Sequence, residues 1–236
     1  MAHDGSLLSL LAVYDDLGRQ VAAEGTAAGA LCAVTVVAAR SVPGVDAASI
    51  TRQRAGSFET VGSTADAATA ADAIQYELGN GPCVDASTKD NVFRSGDLAT
   101  DPRWPTFGAL AVETTPVRSV LSIRISVDDD AAMAGLNLYS FRIAAFDERA
   151  EDLATLLAVH AGEIVARLVA QEKAANLETA LISNREIGAA MGVLISAHKI
   201  SRKDAFHLLR ITSQRTNRKL RDIATEVVDT GTIDLT

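Results

Sequence analysis

The chain has 236 residues, of which 48% are apolar, enough for one medium-sized domain and one small domain with hydrophobic cores. The formal net charge of −8 is unevenly distributed, because residues 1–173 hold 13 basic and 23 acidic residues whereas residues 174–236 hold 9 and 7. This composition excludes a disordered chain and leaves only the C-terminal part suited to binding a polyanion.

In chain order, the N-terminal part predicts helices that alternate with pairs of strands. The predicted elements are a helix at 7–23, strands at 47–52 and 58–63, a helix at 65–78, and strands at 119–126 and 134–141. Turns are expected at 54–56 and 128–130, and a break at 79–82. This order predicts an antiparallel sheet flanked by helices.

Five short motifs in this part carry a resemblance to a known family. They lie at residues 75–86, 97–98, 103–105, 119–122 and 135–140. In content, order and spacing they resemble the GAF domains of actinobacterial GAF–ANTAR proteins, over residues 6–165. The resemblance implies an α+β sensor domain with a ligand pocket on one side of a six-stranded sheet, and the ligand varies across the family.

A set of aromatic and thiol side chains is expected to line such a pocket. The candidates are Tyr76, Cys83, Phe93, Trp104 and Phe107. They suit a small, partly apolar ligand, although the same side chains would equally fill a core that binds nothing. No histidine lies in these loops, which argues against a haem or metal centre held by histidine. We therefore expect no cofactor other than an unidentified small molecule.

A proline-free stretch at 148–195 predicts one long helix, or two nearly continuous ones, between the sensor and the tail. Leu153, Leu157, Ala161, Ile164 and Leu168 recur close to the 3.5-residue repeat of a coiled coil. We expect this seam to pair with a second copy and to transmit the sensor's signal through the dimer. The alternative is a helix that covers the sheet of its own chain. The domains are predicted at 1–165 and 166–236.

Residues 184–231 predict three consecutive amphipathic helices. The first carries an apolar stripe of Ile187, Ala190, Met191, Leu194 and Ile195. Ser201, followed by Asp204, predicts the start of the second helix near Arg202. Asn217 is expected to cap the third helix, which ends near Gly231. The three stripes together predict a small all-α bundle.

The same tail resembles a second family. The run at 184–194, with positions 201, 204–206, 209–210, 213, 217, 219–221 and 224, is similar to the ANTAR domain of bacterial transcription antiterminators. The resemblance implies an RNA-binding three-helix module that acts as a homodimer. It would bind a pair of short hairpins in nascent RNA through their loops, and so exclude the intrinsic terminator. Met191 stands where family members often have a lysine.

Charge and this resemblance select ten candidate RNA-binding residues: Arg185, His198, Lys199, Arg202, Lys203, His207, Arg210, Asn217, Arg218 and Lys219. Basic side chains are expected to hold phosphates. The tail has no Trp or Tyr, so His198, His207 and Arg210 are the candidates for stacking on unpaired bases. Phe206 is expected in the core of the bundle.

Location and alternative functions complete the prediction. The longest uncharged run, 25–39, has 15 residues, fewer than the roughly 20 of a membrane-spanning helix. The chain start resembles no targeting signal, so we expect a cytoplasmic protein without a membrane partner. A signalling module whose basic tail binds an acidic protein surface or DNA fits the charge equally well. A third hypothesis is a redox enzyme in which the thiol of Cys83 reduces methionine sulfoxide and Cys32 is the resolving thiol. The favoured reading has no catalytic residues and no metal.

Overall fold

The computed structural model describes residues 4–54, 56–88, 92–126 and 133–233. Contacts divide the chain into an N-terminal unit, Met1–Val169, and a C-terminal unit, Ala170–Thr236. The elements of the first unit are α1 (Asp4–Glu24), α2 (Ala27–Ser41), β1 (Ala47–Arg54), β2 (Ser57–Ser63), α3 (Asp66–Leu78), α4 (Pro82–Thr88), β3 (Val92–Ser95), α5 (Pro105–Thr114), β4 (Ser119–Ser126) and β5 (Met133–Ser140). The helix α6 (Glu148–His198) belongs to both units, and α7 (Arg202–Thr216) and α8 (Leu220–Thr230) complete the second.

The five strands form one antiparallel sheet in the order β2-β1-β5-β4-β3. In the register of the two central strands, Ile50 of β1 lies opposite Leu136 of β5. The predicted antiparallel sheet is confirmed, with five strands in the described residues instead of the six that the resemblance implies. The turn predicted at 128–130 lies outside the described residues.

One face of the sheet is apolar and is covered by α1, α2 and the first part of α6. Leu121, Ile123, Leu136 and Leu138 face this side and pack in one buried cluster with residues of the three helices. Burial of such side chains contributes roughly 1.5–3 kcal/mol each. This face therefore holds the main core of the sensor.

The helix α2 occupies the run at 25–39, where the sequence analysis predicts no element. Thr26 begins it by accepting a hydrogen bond from the amide of Gly29 at 3.1 Å. Ala30, Val34 and Val37 are buried in the core cluster. A helix with so few polar residues lacks the alternation of polar and apolar faces by which surface helices are recognised.

The opposite face of the sheet is covered by α3, α4 and α5. An apolar cluster there contains Trp104, Phe107 and Tyr139, with Phe93 packed against it. Beside this cluster, the centre of the face carries buried polar side chains from β1, β5 and α3. The two faces thus differ in chemistry, because the first is apolar at its centre and the second has buried polar side chains there.

The apolar seam predicted for dimerisation lies on α6, but it packs against the sheet of its own chain. Leu157 and Ala161 are buried in the sheet's core cluster, and Leu153, Ile164 and Leu168 pack against that cluster. A Cβ on Gly162 would lie 2.5 Å from the carbonyl oxygen of Ser126, so the helix approaches β4 closely. The predicted pairing through these residues is therefore wrong, because a stripe with this spacing fits a sheet as well as a second helix.

By length and composition alone, α6 is also apolar enough to cross a membrane. A third of its most apolar stretch is buried, and Ala154, Leu157, Ala158 and Val165 pack in the core of the N-terminal unit. A core helix passes the same length and composition test as a membrane span.

The C-terminal unit is a bundle of the end of α6 with α7 and α8. Its core consists of Ala190, Leu194, Ala205, Leu209, Ile223, Ala224 and Val227. Ser201 caps α7 as predicted, because its Oγ accepts a hydrogen bond from the amide of Asp204 at 3.2 Å. Asn217 does not cap the third helix. It ends α7 in the left-handed conformation at φ 51°, and Lys219 precedes α8 as its N-cap.

Candidate nucleic-acid interface and sensor interior

The ten residues predicted to bind RNA are all exposed. Arg185 and His198 lie on α6, and Lys199 follows it with a φ of 55°. Arg202, Lys203, His207 and Arg210 lie on α7, and we call these four the basic face of α7. Asn217, Arg218 and Lys219 join α7 to α8. Arg185 is 13 residues upstream of His198, which separates these two candidates by about 20 Å along the axis of α6.

Side chains on the basic face of α7 contact each other. Lys203, His207 and Arg210 follow the helical spacing i, i+4 and i+7, which places them on one side of the helix. Nη2 of Arg210 lies 3.4 Å from Nδ1 of His207. This side of α7 presents two permanent positive charges and an imidazole to solvent.

The link between α7 and α8 folds back on the end of α7. Ser213 donates a hydrogen bond from its Oγ to the carbonyl oxygen of Arg218 at 2.6 Å, and the amide of Arg218 donates to the carbonyl oxygen of Ser213 at 3.2 Å. The guanidinium of Arg218 pairs with Glu226 at 2.7 Å. Arg218 is therefore positioned by the fold, but part of its charge is already neutralised.

Phe206 does not lie in the core of the bundle, in contrast to the prediction. Its side chain is 42% exposed, whereas Ala205, Leu209 and Thr212 hold the buried side of α7. Residue 206 is turned about 100° around the helix from residue 205, which takes it off the buried side. The spacing of Ala205, Leu209 and Thr212 in the sequence carries this signal.

The five side chains predicted to line a ligand pocket fall into two groups. Phe93, Trp104 and Phe107 belong to the apolar cluster, where Phe93 meets Trp104 edge to face at 5.6 Å. The indole Nε1 of Trp104 donates a hydrogen bond to Asp85 at 2.9 Å. Tyr76 and Cys83 join the neighbouring polar network instead. Whether this region takes a ligand stays a prediction.

The polar network is centred on Asp72 of α3, which is completely buried. Its Oδ1 accepts hydrogen bonds from the hydroxyl of Tyr139 at 2.6 Å and from the amide of Asn137 at 3.1 Å. Its Oδ2 accepts from Thr60 at 2.9 Å. Burial raises the pKa of Asp72 to about 6, although the hydrogen-bond donors act in the opposite direction.

Gln75 extends the network from Tyr139 to Cys83. Its side-chain amide donates to the hydroxyl of Tyr139 at 3.0 Å, and its carbonyl oxygen accepts from the amide of Cys83 at 2.8 Å. Asp72, Gln75 and Asn137 are not among the predicted site residues, although Gln75 and Asn137 lie in the motifs at 75–86 and 135–140. The alternation of Ser49 and Thr51 in β1, and of Asn137 and Tyr139 in β5, with apolar residues is the available signal.

Cys83 lacks the properties of a reactive thiol. It is buried, its Sγ donates to the hydroxyl of Thr51 at 3.1 Å, and burial raises its pKa to about 12. Cys32 lies on the other face of the sheet. A Cβ on Gly62, which pairs with Ile50, would contact Cys32, whereas Cys83 contacts Thr51, which points to the opposite face. The sheet thus separates the proposed resolving thiol from Cys83.

Comparison with known families and structures gives the same two-part division. Residues 11–166 match the family model described as GAF domain, and residues 175–228 match the ANTAR domain model. No curated protein matches the chain.

Solved structures with a similar fold include GAF domains of phosphoenolpyruvate-protein phosphotransferases. The one from Coxiella burnetii has a TM-score of 0.55 at 17% identity and covers 70% of this chain and 98% of its own. The one from Acinetobacter has a TM-score of 0.52 at 16% identity and covers 71% and 96%. A type II free methionine-R-sulfoxide reductase from Thermoplasma acidophilum, at 15% identity and covering 60% and 94%, has a TM-score of 0.48, too low to support an argument. At these identities the likeness concerns the fold alone.

The antiparallel sheet between two helical layers, the C-terminal bundle with its exposed basic residues and the two matching family models lead to one conclusion. The chain belongs to the GAF domain family and carries an ANTAR domain after its sensor, the organisation of a GAF–ANTAR regulator.

Proposed function

We propose that this protein is a cytoplasmic transcription antitermination regulator without catalytic residues. Its ANTAR domain binds paired hairpins in nascent RNA, and its GAF domain controls that binding in response to a signal. The basic face of α7 is the observation that carries this proposal. Its side chains are exposed on a folded helix, in a chain whose overall charge is negative.

The chemistry of this face suits RNA hairpins. Sequence-specific recognition of RNA mostly targets unpaired loop bases, since the deep major groove of an RNA duplex is closed to side chains. Lys203 and Arg210 supply charges for the phosphates, and His207 supplies a ring between them. Asn217 and Lys219 extend the polar surface beyond the end of α7.

Dimerisation needs a seam other than the predicted one. In the C-terminal unit, Leu177 and Leu181 of α6 are 63% and 61% exposed, and Ile182 is exposed beside them. Leu177 and Leu181 are four residues apart and share one side of the helix. We propose that this part of α6 pairs with the same part of α6 in a second copy of the chain. Leu177→Ser/Leu181→Ser should then yield a monomer in sedimentation, whereas a wild-type protein that stays monomeric even with RNA would exclude the dimer.

The signal for the GAF domain is proposed to be a small molecule bound near Tyr76, Cys83, Phe93, Trp104 and Phe107. The support is that buried polar groups and aromatic rings lie side by side there, as they do in small-molecule sites. The buried amide oxygen of Asn137 has no hydrogen-bond partner. A ligand that donates a hydrogen bond would satisfy it.

Competition binding tests the RNA function. A tandem-hairpin RNA, selected from a pool with randomised loops, should resist competition by duplex DNA at physiological salt. Lys203→Glu/Arg210→Glu should weaken RNA binding and lower the slope of log affinity against log salt by about two. Arg40→Glu/Arg149→Glu is the matched control, because it reverses two exposed positive charges of the N-terminal unit, away from the basic face and from the proposed dimer seam.

The outcome decides between RNA and other anionic partners. If no hairpin is enriched, or if duplex DNA competes equally and both complexes fade together with salt, the RNA function is wrong. Transcription across an intrinsic terminator then tests antitermination. Read-through should rise with wild-type protein and not with the Lys203→Glu/Arg210→Glu variant.

A further inference from the structure

Phe206 is an aromatic side chain that lies outside the buried core of the C-terminal unit. The buried cluster of the C-terminal unit includes its neighbours Ala205 and Leu209 but not Phe206, which is 42% exposed. Exposing a large part of an aromatic ring gives up hydrophobic stabilisation. The exposed part of the ring is therefore available to a partner outside the bundle core.

The surroundings of Phe206 on α7 are positively charged. The residues one turn away are Arg202 and Lys203 before it, and Leu209 and Arg210 after it. Leu209 is buried, so the solvent-exposed neighbours are all basic. Arg202 and Arg210 each lie about 40° from Phe206 around the helix axis.

The side of α7 that carries Phe206, which we call its flank, continues to the end of the helix. Ser213 lies two turns after Phe206 on the same flank and bonds the carbonyl oxygen of Arg218. The link between α7 and α8 therefore adjoins the flank that carries Phe206. An aromatic ring thus lies on a continuous surface that begins at Arg202 and ends at Asn217 to Lys219.

The charge on this surface selects among possible occupants. The same surface of a second copy would bring like charges against it, which opposes close contact. An apolar protein partner would have to bury Arg202, Lys203 and Arg210 without counter-charges, which is costly. A single strand of nucleic acid has both a charged backbone for the basic side chains and flat bases for the ring.

We propose that Phe206 is a stacking residue for one unpaired base of the RNA, with Arg202, Lys203 and Arg210 holding the phosphates on either side. This inference rests on the proposed RNA-binding function and adds the residue that contacts a base. It replaces His198 and His207 as the main stacking candidate, because Phe206 presents a larger apolar ring.

The test uses the full-length protein and the tandem-hairpin RNA selected by the wild type. Phe206→Ala should lower RNA affinity by about 5- to 150-fold, the range for loss of one base stacked on an aromatic ring. Phe206→Trp should keep the affinity. The salt slope should stay unchanged in both variants, because the phosphate contacts remain.

Ile211→Ala is the matched control. Ile211 lies on the same helix, is 41% exposed, and is turned about 140° from Phe206. Its substitution should leave RNA affinity unchanged. Far-ultraviolet circular dichroism establishes that each variant is folded before binding is measured.

An abasic scan of the loops identifies the stacked base. One abasic RNA should bind the wild type as weakly as the intact RNA binds Phe206→Ala, and should bind that variant with no further loss. Equal affinities of wild type and Phe206→Ala would overturn the proposal while leaving the RNA function intact. A Phe206→Ala protein with unchanged RNA affinity but altered sedimentation would assign the ring to self-association instead. Failure of the wild type to select any hairpin would overturn the RNA function itself.

Discussion

The two units of this protein treat the same kinds of side chain in opposite ways. The GAF unit buries Trp104 and Phe107 and encloses Asp72 in hydrogen bonds. The ANTAR unit leaves Phe206 and the basic face of α7 exposed to solvent. Aromatic and charged groups in the first unit thus determine its stability, and those in the second are available for a partner.

The largest difference between the units is expected from aromatic truncation. Phe107→Ala removes a buried ring and should lower the free energy of unfolding of the GAF unit by about 3–5 kcal/mol. Phe206→Ala should change stability by less than about 1 kcal/mol. The chain has one tryptophan, Trp104, which packs in the same cluster as Phe107, so its fluorescence in urea measures the unfolding of the GAF unit. Hydrogen exchange of the buried amides of α7 measures the stability of the ANTAR unit in Phe206→Ala. Equal losses of unfolding free energy in Phe107→Ala and Phe206→Ala would contradict the contrast between a buried and an exposed ring.

The next largest effect concerns the pH dependence of the GAF unit. Burial raises the pKa of Asp72 from its ordinary value of 3.8 to about 6, so the folded protein binds this proton more tightly than the unfolded chain does. Its stabilising contribution is complete below pH 3.8 and is lost as the pH rises through 6, a total of about 3 kcal/mol.

Asp72→Asn isolates this titration, because the variant shares all other carboxyl groups with the wild type. The free energy of unfolding of the wild type, minus that of Asp72→Asn, should fall steadily as the pH rises from 4 to 6. Urea unfolding followed by Trp104 fluorescence measures it. A difference independent of pH would mean that the hydrogen-bond donors offset the effect of burial and that the pKa of Asp72 is not raised by folding.

A smaller effect is expected at the start of α7. Ser201→Ala removes the hydroxyl that caps α7 by accepting a hydrogen bond from the amide of Asp204, and should cost about 1 kcal/mol of local stability. Ser201→Asp should retain the cap. Hydrogen exchange of the α7 amides should accelerate in Ser201→Ala alone, with the Trp104 transition unchanged. Acceleration in both variants would argue against the cap.

The smallest effect is expected from the ion pair between Arg218 and Glu226. Both side chains are about half exposed, so Glu226→Gln should change stability by no more than about 1 kcal/mol. Since the substitution frees Arg218 for phosphate, RNA affinity should rise about two- to fivefold. Lower affinity would show that the pair positions Arg218 for binding.

Much of the fold is predictable from local patterns. The strands at 119–126 and 134–141 alternate apolar and polar residues, and Ser201 with Asp204 marks the start of α7, as the structure confirms. α2 is missed because a helix buried in the core has no polar face. The seam on α6 is misassigned because Leu157 and Ala161 have the same spacing whether they face a sheet or a second helix.

The candidate sites depend more on distant parts of the chain. Eight of the nine basic residues of the tail are visible in the sequence as a cluster because they lie within 23 positions, from Lys199 to Arg221. Asp72 and its partners Asn137 and Tyr139 are more than 60 residues apart, and only the packing of α3 on the sheet brings them together. Phe206 looks like a core residue by type, and its exposure follows from the space already filled by Ala205 and Leu209.

The position of the sheet between Cys32 and Cys83 has a practical consequence for labelling. The native chain has two thiols, and Cys32 is partly accessible whereas Cys83 is buried. A maleimide dye should therefore modify Cys32 first and reach Cys83 only when the GAF unit opens. The delay between the two modifications would record how often that opening occurs in the working protein.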